Sequence, residues 1–277
     1  MNNLFINRIS IIMIAILVSS CAIFGDPTEV DETTGLTDYE VLELAKSVEF
    51  VKDWPRAISI YETAEKKFPN SRLAPQFKLN LAFAYKNFYR EEEAIQMLNK
   101  FIRAYPNHPA LDYAYYLKGV VLFRDRGIFK EITMQDISDR DLSMLEESFQ
   151  ALKTMTDLFP KSQYFIDAAN RMTYLMNKIS ERELYVARFY MRKKAYLAAL
   201  NRSKYVLEKY PNSAHQEEAL VIIISAYRNL GITDLAEDTK RVLDLNFPNS
   251  RFSKRNNKSK INAESEKSWW EFWDILN

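Results

Sequence analysis

The chain has 277 residues, 47% of them hydrophobic, which is enough to bury one large core or two ordinary ones. Its 38 Lys and Arg residues balance 37 Asp and Glu residues, which argues against a body that binds nucleic acid. Five glycines are too few for a protein built on tight strand turns or Gly-rich phosphate loops. The composition therefore favours an all-α protein.

The first twenty residues have the pattern of a secretory signal peptide. Arg8 is the only charged residue before Asp26, and the apolar stretch 9–18 is about half as long as a bilayer-spanning helix. Small residues follow and end at Cys21, the only cysteine of the chain. Segment 18–21 (Val-Ser-Ser-Cys) resembles the lipobox of bacterial lipoproteins, in which the cysteine is lipidated and becomes the mature N-terminus.

We therefore predict a signal peptide over residues 1–20, a covalent lipid on Cys21 and a flexible, polar tether over residues 21–36. The alternative is an ordinary cleaved signal, or an N-terminal anchor, in which Cys21 is incidental. Residue 22 is Ala rather than Asp, which in enterobacterial lipoproteins favours the outer membrane.

Five related four-residue motifs, each with proline at its second position, indicate an internal repeat. They are Phe68-Pro69-Asn70-Ser71, Tyr105-Pro106-Asn107-His108, Phe159-Pro160-Lys161-Ser162, Tyr210-Pro211-Asn212-Ser213 and Phe247-Pro248-Asn249-Ser250. In each motif an aromatic residue ends one helix, and the proline prevents that helix from continuing. The Asn and Ser that follow are expected to cap the next helix.

Positions 12, 8 and 5 residues before each of these prolines fall on one helix face. The first of the three is always small: Ala57, Ala94, Ser148, Ala199 and Ala236. This pattern resembles the tetratricopeptide repeat (TPR), a helix hairpin of about 34 residues. We predict an all-α superhelical solenoid of five TPR-like helix hairpins over residues 37–250. The alternative is an unrelated helical bundle whose helices end at proline.

The prolines are spaced by 37, 54, 51 and 37 residues, so the third repeat has 17 extra residues and the fourth has 14. The apolar period lapses near residues 124–141, and we place an insertion there. Between Pro160 and Ala187 no residue breaks a helix. That surplus is expected to lengthen a helix by about four turns.

No motif in the sequence supports catalysis. His108 and His215 are isolated and are expected to be capping or surface residues. The sequence contains no GxSxG motif, no Walker loop and no Cys–His pair. Glu91–Glu93 stand where a helix should begin, which favours solvated charges over acid–base chemistry. We predict a protein that is not an enzyme and has no cofactor or metal apart from the lipid on Cys21.

Several further segments lie in order along the repeats. They are 107–109 (Asn-His-Pro), 112–113 (Asp-Tyr), 138–141 (Ser-Asp-Arg-Asp), 162–164 (Ser-Gln-Tyr), 167–168 (Asp-Ala), 186–190 (Val-Ala-Arg-Phe-Tyr) and 201–202 (Asn-Arg). With the lipobox and the two longer repeats, they resemble the BamD family, the TPR lipoproteins of the outer-membrane β-barrel assembly (BAM) machine.

The resemblance implies a scaffold on the periplasmic face of the outer membrane that helps to fold and insert β-barrel proteins. Its implied partners are the POTRA domain of a BamA-like barrel subunit, the other BAM lipoproteins and unfolded outer-membrane proteins. Arg202 matches the family arginine linked to the BamA contact, and Tyr190 and Lys193 lie nearby on the preceding helix. The family position matching Lys193 is more usually Arg.

The residue pattern agrees with a partner contact at Arg202, because Arg202 lies off the buried stripe that contains Ala199 and Val206. For an N-terminal groove that receives substrates, the candidates are Tyr61 and Tyr85, with the core as the alternative location. The tether leads directly into the first repeat, so we expect that end of the domain near the membrane.

Two points stay open. A periplasmic TPR lipoprotein that serves peptidoglycan or the cell-division machinery is the alternative function. The tail, residues 251–277, combines a basic stretch at 251–260 with Trp269, Trp270 and Trp273. We expect it to be disordered when free, with insertion at a membrane interface or docking on a partner as the alternatives.

Overall fold

The structure is a computed structural model, and it describes residues 31–123, 139–250 and 252, without the side chains of residues 139–141. Within these ranges the chain forms ten α-helices and no strand, so the all-α prediction is confirmed. The helices are α1 (Asp38–Phe50), α2 (Trp54–Lys67), α3 (Ala74–Asn87), α4 (Glu91–Ala104), α5 (Leu111–Leu122), α6 (Asp139–Leu158), α7 (Phe165–Arg192), α8 (Tyr196–Lys209), α9 (Gln216–Asn229) and α10 (Thr233–Asn246). The signal peptide, Cys21, residues 22–30 of the tether and residues 253–277 of the tail lie outside the described residues.

The helices follow one another as five pairs, and four of the pairs are joined by the same short turn. Each of these turns has one residue in the left-handed conformation: Lys52, Tyr89, Lys194 or Gly231, with φ between 58° and 75°. The N–H of the residue after the left-handed one donates to the carbonyl five residues before it. For example, the Asp53 N–H donates to the Val48 carbonyl at 3.2 Å. The third pair is joined through the predicted insertion, of which residues 124–138 lie outside the described residues.

The repeat positions read from the sequence form the core. All but one of the fifteen positions that precede the five prolines by 12, 8 and 5 residues are buried. The exception is Lys240, which is half-buried and pairs with Asp244 at 2.5 Å. An aromatic residue also follows the second helix of each pair directly, so the prediction of TPR-like helix hairpins is confirmed.

The described chain forms two compact units, divided between Ala84 and Tyr85. In unit 1 (residues 31–84), α1 packs on α2, and Trp54 meets Phe83 edge to face at a centroid distance of 5.9 Å. In unit 2 (residues 85–250), each helix from α4 to α10 packs on the next one. The core of each unit is therefore built mainly between neighbours in the sequence, as in a repeat protein.

Helix lengths account for most of the irregular spacing. Helix α7 has 28 residues, whereas α8, α9 and α10 have 14 each, and the difference of 14 equals the surplus of the fourth repeat. The predicted lengthening by about four turns is confirmed. Helix α6 has 20 residues and begins at Asp139, so residues 139–141 are helical and do not belong to a loop insertion.

The serine of the four-residue proline motif does not cap the next helix, contrary to the expectation from sequence. Ser162 lies two residues before Tyr164, the N-cap of α7, and no side chain caps that helix. The Ser162 hydroxyl instead accepts a hydrogen bond from the Tyr164 N–H (3.2 Å) and donates one to Asp112 at the start of α5 (2.6 Å). The serine therefore ties the end of its repeat to the first turn of the same repeat.

The same two bonds recur in other repeats. Ser71 accepts from the Leu73 N–H at 2.9 Å and donates to Asp38 at 2.5 Å, while Ser250 donates to Glu217 at 2.7 Å. In the second repeat His108 takes this place, and its Nδ1 accepts from the Ala110 N–H at 3.1 Å. A local role for His108 therefore agrees with the sequence prediction.

The last six residues of the predicted tether, 31–36, are folded onto unit 1. Glu32 accepts from the Arg56 guanidinium at 2.5 to 3.1 Å, and Asp31 accepts from the Lys67 ammonium at 2.5 Å. Thr33 is buried, and its hydroxyl donates to Asp31 at 2.6 Å. Residues 31–36, which the sequence analysis assigned to the tether, therefore contact the side chains of α2.

Docking of residues 31–36 is expected to be lost in acid. Hydrogen bonds from Lys67 and Thr33 hold the pKa of Asp31 at about 2, and Arg56 lowers the pKa of Glu32. Both pKa values are lower in the folded chain, so the stabilisation is complete above a pH of about 5 and is lost as the pH falls towards 2. Hydrogen-exchange protection of the Thr33 and Leu36 amides should fall over this range while protection in α2 persists.

The control for this prediction is Asp31→Asn, which should expose the same amides already at neutral pH. Protection that stays constant from pH 7 to pH 2 in the unmodified chain would show that these carboxylates do not hold the segment.

Candidate partner-binding site on helices α7 and α8

Helices α7 and α8 hold the residues that the sequence assigned to partner binding. Small, fully buried side chains line the contact between these helices, among them Ala187 on α7 and Ala199 and Ser203 on α8. Small residues at such positions allow two helices to approach closely. Ser203 therefore fits the repeat, although as a serine it is a poor match to the usual pattern.

Arg202 is held by a buried carboxylate of its own chain. Its side chain is 48% exposed, and its Nη1 donates to both oxygens of Glu183 on α7, at 3.0 and 3.3 Å. The Glu183 side chain is only 3% exposed. A buried carboxylate needs a partner, because removing it from water is costly. The sequence analysis treated Arg202 as free to face a partner, and it did not identify Glu183.

A second carboxylate belongs to the same cluster. The Tyr205 hydroxyl donates to Glu146 on α6 at 3.3 Å, and the Tyr205 and Tyr210 rings meet edge to face at 5.8 Å. Burial raises the pKa of Glu146, with a further contribution from Glu183, while Tyr205 and Arg202 act in the opposite direction. Burial alone would lower the pKa of Arg202, but the bond to Glu183 outweighs it and raises that pKa. Arg202 therefore keeps its charge between two acidic residues.

The other two predicted residues lie in different surroundings. Tyr190 packs against the core of α7 to α9 and is close enough to Arg202 to influence its pKa. Lys193 is exposed at the end of α7, with its ammonium 5.8 Å from the centre of the Phe189 ring. The structure thus brings Tyr190 to Arg202 and places Lys193 beside Phe189.

An apolar groove at the start of α8 was missed by the sequence analysis. Leu197, on the first turn of α8, is 61% exposed and lines a cavity of about 520 Å³ with Leu230 and Asn201. Leu197 lies off the buried stripe of α8, which was the available signal. An exposed apolar groove on the helix that also carries a fixed cation is suited to binding a protein.

Tyr61 and Tyr85 are core residues and do not line an open groove. Tyr61 is fully buried, and its hydroxyl accepts from the Asn80 amide at 3.0 Å. Tyr85 is buried as well, with the Arg90 guanidinium 4.6 Å from its ring centre. The core location, given as the alternative from sequence, is therefore correct for both.

The described residues contain no group of His, Cys, Asp and Glu side chains that could hold a metal ion. None of the helices in the described ranges is long and apolar enough to cross a membrane. The geometry on α7 and α8 offers a fixed cation, hydroxyls and apolar surface, which are the elements of a binding surface.

Comparison with known proteins decides the family. Residues 40–243 match the family model YfiO, described as outer membrane lipoprotein. The outer membrane protein assembly factor BamD of Neisseria meningitidis serogroup B is 37% identical over 267 residues, which are 95% of this chain and 97% of the relative. The chain belongs to the BamD family of outer membrane lipoproteins.

Other members of the BamD family are more distant. BamD of Xylella fastidiosa (strain 9a5c) is 32% identical, covering 71% of this chain and 68% of the relative. BamD of Vibrio cholerae is 28% identical, and the match covers 83% of this chain and 96% of the relative. Membership of this lipoprotein family places the chain at the outer membrane, held by a lipid anchor.

Proposed function

We propose that this chain is an outer membrane protein assembly factor that works as a scaffold and not as an enzyme. The observation that supports the proposal most strongly is the relation to the Neisseria assembly factor, which extends over 95% of the chain. In this proposal Cys21 carries the lipid, and the helix hairpins hold a BamA-like barrel subunit, the other BAM lipoproteins and unfolded β-barrel proteins at the membrane. The relatives compared above give no support to a role in peptidoglycan or division machinery.

The proposed contact for the POTRA domain of the BamA-like subunit is the surface of α7 and α8. Arg202 is half-exposed but held in place by Glu183, so little side-chain freedom is lost when a partner binds. The exposed Leu197 and its groove add apolar area at the start of the same helix. Tyr190 supports Arg202 from α7, and Lys193 supplies a further cation at the edge of the surface.

The contact with Glu183 changes how Arg202 should be tested. Arg202→Glu would place two carboxylates against each other and leave Glu183 without its cation, so lost binding could result from local unfolding. The double variant Arg202→Gln/Glu183→Gln removes both charges and keeps two polar side chains that can hydrogen-bond to each other. It is therefore the more specific test of the partner contact.

We expect the unmodified lipoprotein to recover the BamA-like subunit from a mild detergent extract of outer membranes. The double variant should bind that subunit about tenfold more weakly or worse, as for an interface residue that dominates binding. The matched control is Arg241→Gln on α10, an exposed, ion-paired arginine outside this surface. If the double variant binds as well as the control, the contact is not at Arg202. If the unmodified chain recovers no such subunit, the proposed function itself is wrong.

A further inference from the structure

The turn between α1 and α2 presents two apolar side chains to the surroundings. Phe50 is 89% exposed and Val51 is 69% exposed. The turn has a fixed geometry, because the Lys52 N–H bonds to the Glu49 carbonyl at 2.8 Å and the Asp53 N–H to the Val48 carbonyl at 3.2 Å. Phe50 and Val51 are therefore exposed by an ordered turn and form a small apolar surface available for contact.

One of the charged residues at this turn, Lys52, is basic and exposed. Asp53 is engaged at the N-terminus of α2, where its carboxylate accepts from the Arg56 N–H at 3.3 Å. Glu49 is partly buried, and burial raises its pKa. Lys52, between the apolar pair and Asp53, is exposed. Trp54 follows, half-buried against Phe83. Apolar and aromatic side chains next to a lysine are typical of segments that lie at a membrane interface.

The chain from the lipid anchor enters unit 1 alongside α2. Glu32 is held by Arg56 in the first helical turn of α2, and Asp31 by Lys67 in its last turn. Nine residues lie between Cys21 and Asp31, and the ten Cα–Cα steps that join them span about 35 Å at most when fully extended. A lipid on Cys21 would therefore keep the α1–α2 turn within a few nanometres of the bilayer.

We propose that Phe50 and Val51 insert into the interfacial layer of the membrane that carries the lipid anchor, with Lys52 against anionic headgroups. Two apolar side chains bind a membrane weakly on their own, but the anchor makes their insertion intramolecular and raises their effective concentration. The second contact would fix the orientation of unit 1 on the bilayer, which a lipid on a tether does not do. This inference rests on the lipid on Cys21 that belongs to the proposed function, but it does not depend on the proposed assembly role.

The full-length lipidated chain can test this directly. Its only cysteine is the proposed lipid site, so Val51→Cys would supply a single free thiol for a polarity-sensitive fluorophore. The control is Asn70→Cys, an exposed site at the opposite end of α2. Both chains are placed in vesicles of phosphatidylethanolamine and phosphatidylglycerol that contain nitroxide-labelled lipid.

The probe at residue 51 should be quenched by the nitroxide lipid at least about twofold more than the probe at residue 70. Phe50→Ser and Lys52→Glu should each reduce that difference. Equal quenching at both positions would overturn the proposal. It is also overturned if residue 51 leaves water only after a purified barrel subunit or an unfolded β-barrel protein is added, because the surface would then bind protein.

Discussion

Gly119→Val is expected to destabilise unit 2 by about 1–3 kcal/mol, because the contact between α5 and α6 has no space for a side chain at this position. A Cβ atom at Gly119 would lie 2.5 Å from both Cγ and Cδ2 of Leu152, which is fully buried. The buried Ser148 hydroxyl also donates to the Gly119 carbonyl at 2.8 Å, which fixes the two helices together. Urea unfolding of the full chain measures the loss of free energy.

Two further variants decide whether the clash is the cause. Gln150→Val, at an exposed position of α6, should change the stability by less than about 0.5 kcal/mol. Combining Gly119→Val with Leu152→Ala should cost less than the sum of the two single changes, because the valine then occupies space that Leu152 vacates. Strict additivity would show that the close approach does not limit packing here.

Arg202→Ala is expected to destabilise unit 2 by about 1–3 kcal/mol, because it leaves the Glu183 carboxylate buried without its cation. The half-exposed position of Arg202 keeps the effect below that of a fully buried pair, since water can approach Glu183 in the variant. Thermal or urea unfolding of Arg202→Ala against the unmodified chain gives the magnitude.

The matching control is Glu183→Gln, alone and combined with Arg202→Ala. The double variant should be more stable than Arg202→Ala, since the neutral amide no longer requires the guanidinium. If Arg202→Ala and the double variant are equally stable, Glu183 does not depend on Arg202. This cycle also separates a loss of partner binding at α8 from a loss of folding, so it should precede any binding measurement on Arg202.

Much of the candidate site could be predicted from the sequence, but not its internal contacts. The repeat pattern placed Arg202 off the buried stripe of α8, and the structure agrees. It gave no indication of Glu183, which lies 19 residues earlier, because a lone Glu inside a long helix has no local signature of burial. The position of Leu197 off the buried stripe was a weak signal, since scattered apolar residues on helix surfaces are common.

The prediction that these serines cap the next helix was wrong because it, too, depended on contacts between residues distant in sequence. Serine at a helix start is a sound local predictor, but it must sit at the N-cap position itself. Ser162 and Ser71 stand two residues earlier, and their hydroxyls bond to Asp112 and Asp38, which are 50 and 33 residues away in sequence. Only the folded hairpin brings these groups together.

The sequence by itself determined the helix class, the hairpin repeat, the long α7 and the family. The first three follow from local rules, namely the spacing of apolar residues along a helix, the effect of proline on the residue before it, and helix length, whereas the family follows from the resemblance of the ordered motifs. The tertiary structure decided which side chains pair across helices and which remain exposed. Arg202 bound to Glu183, Gly119 against Leu152 and the exposed Phe50 and Val51 all depend on how helix faces meet, and that is fixed by packing between segments distant in sequence.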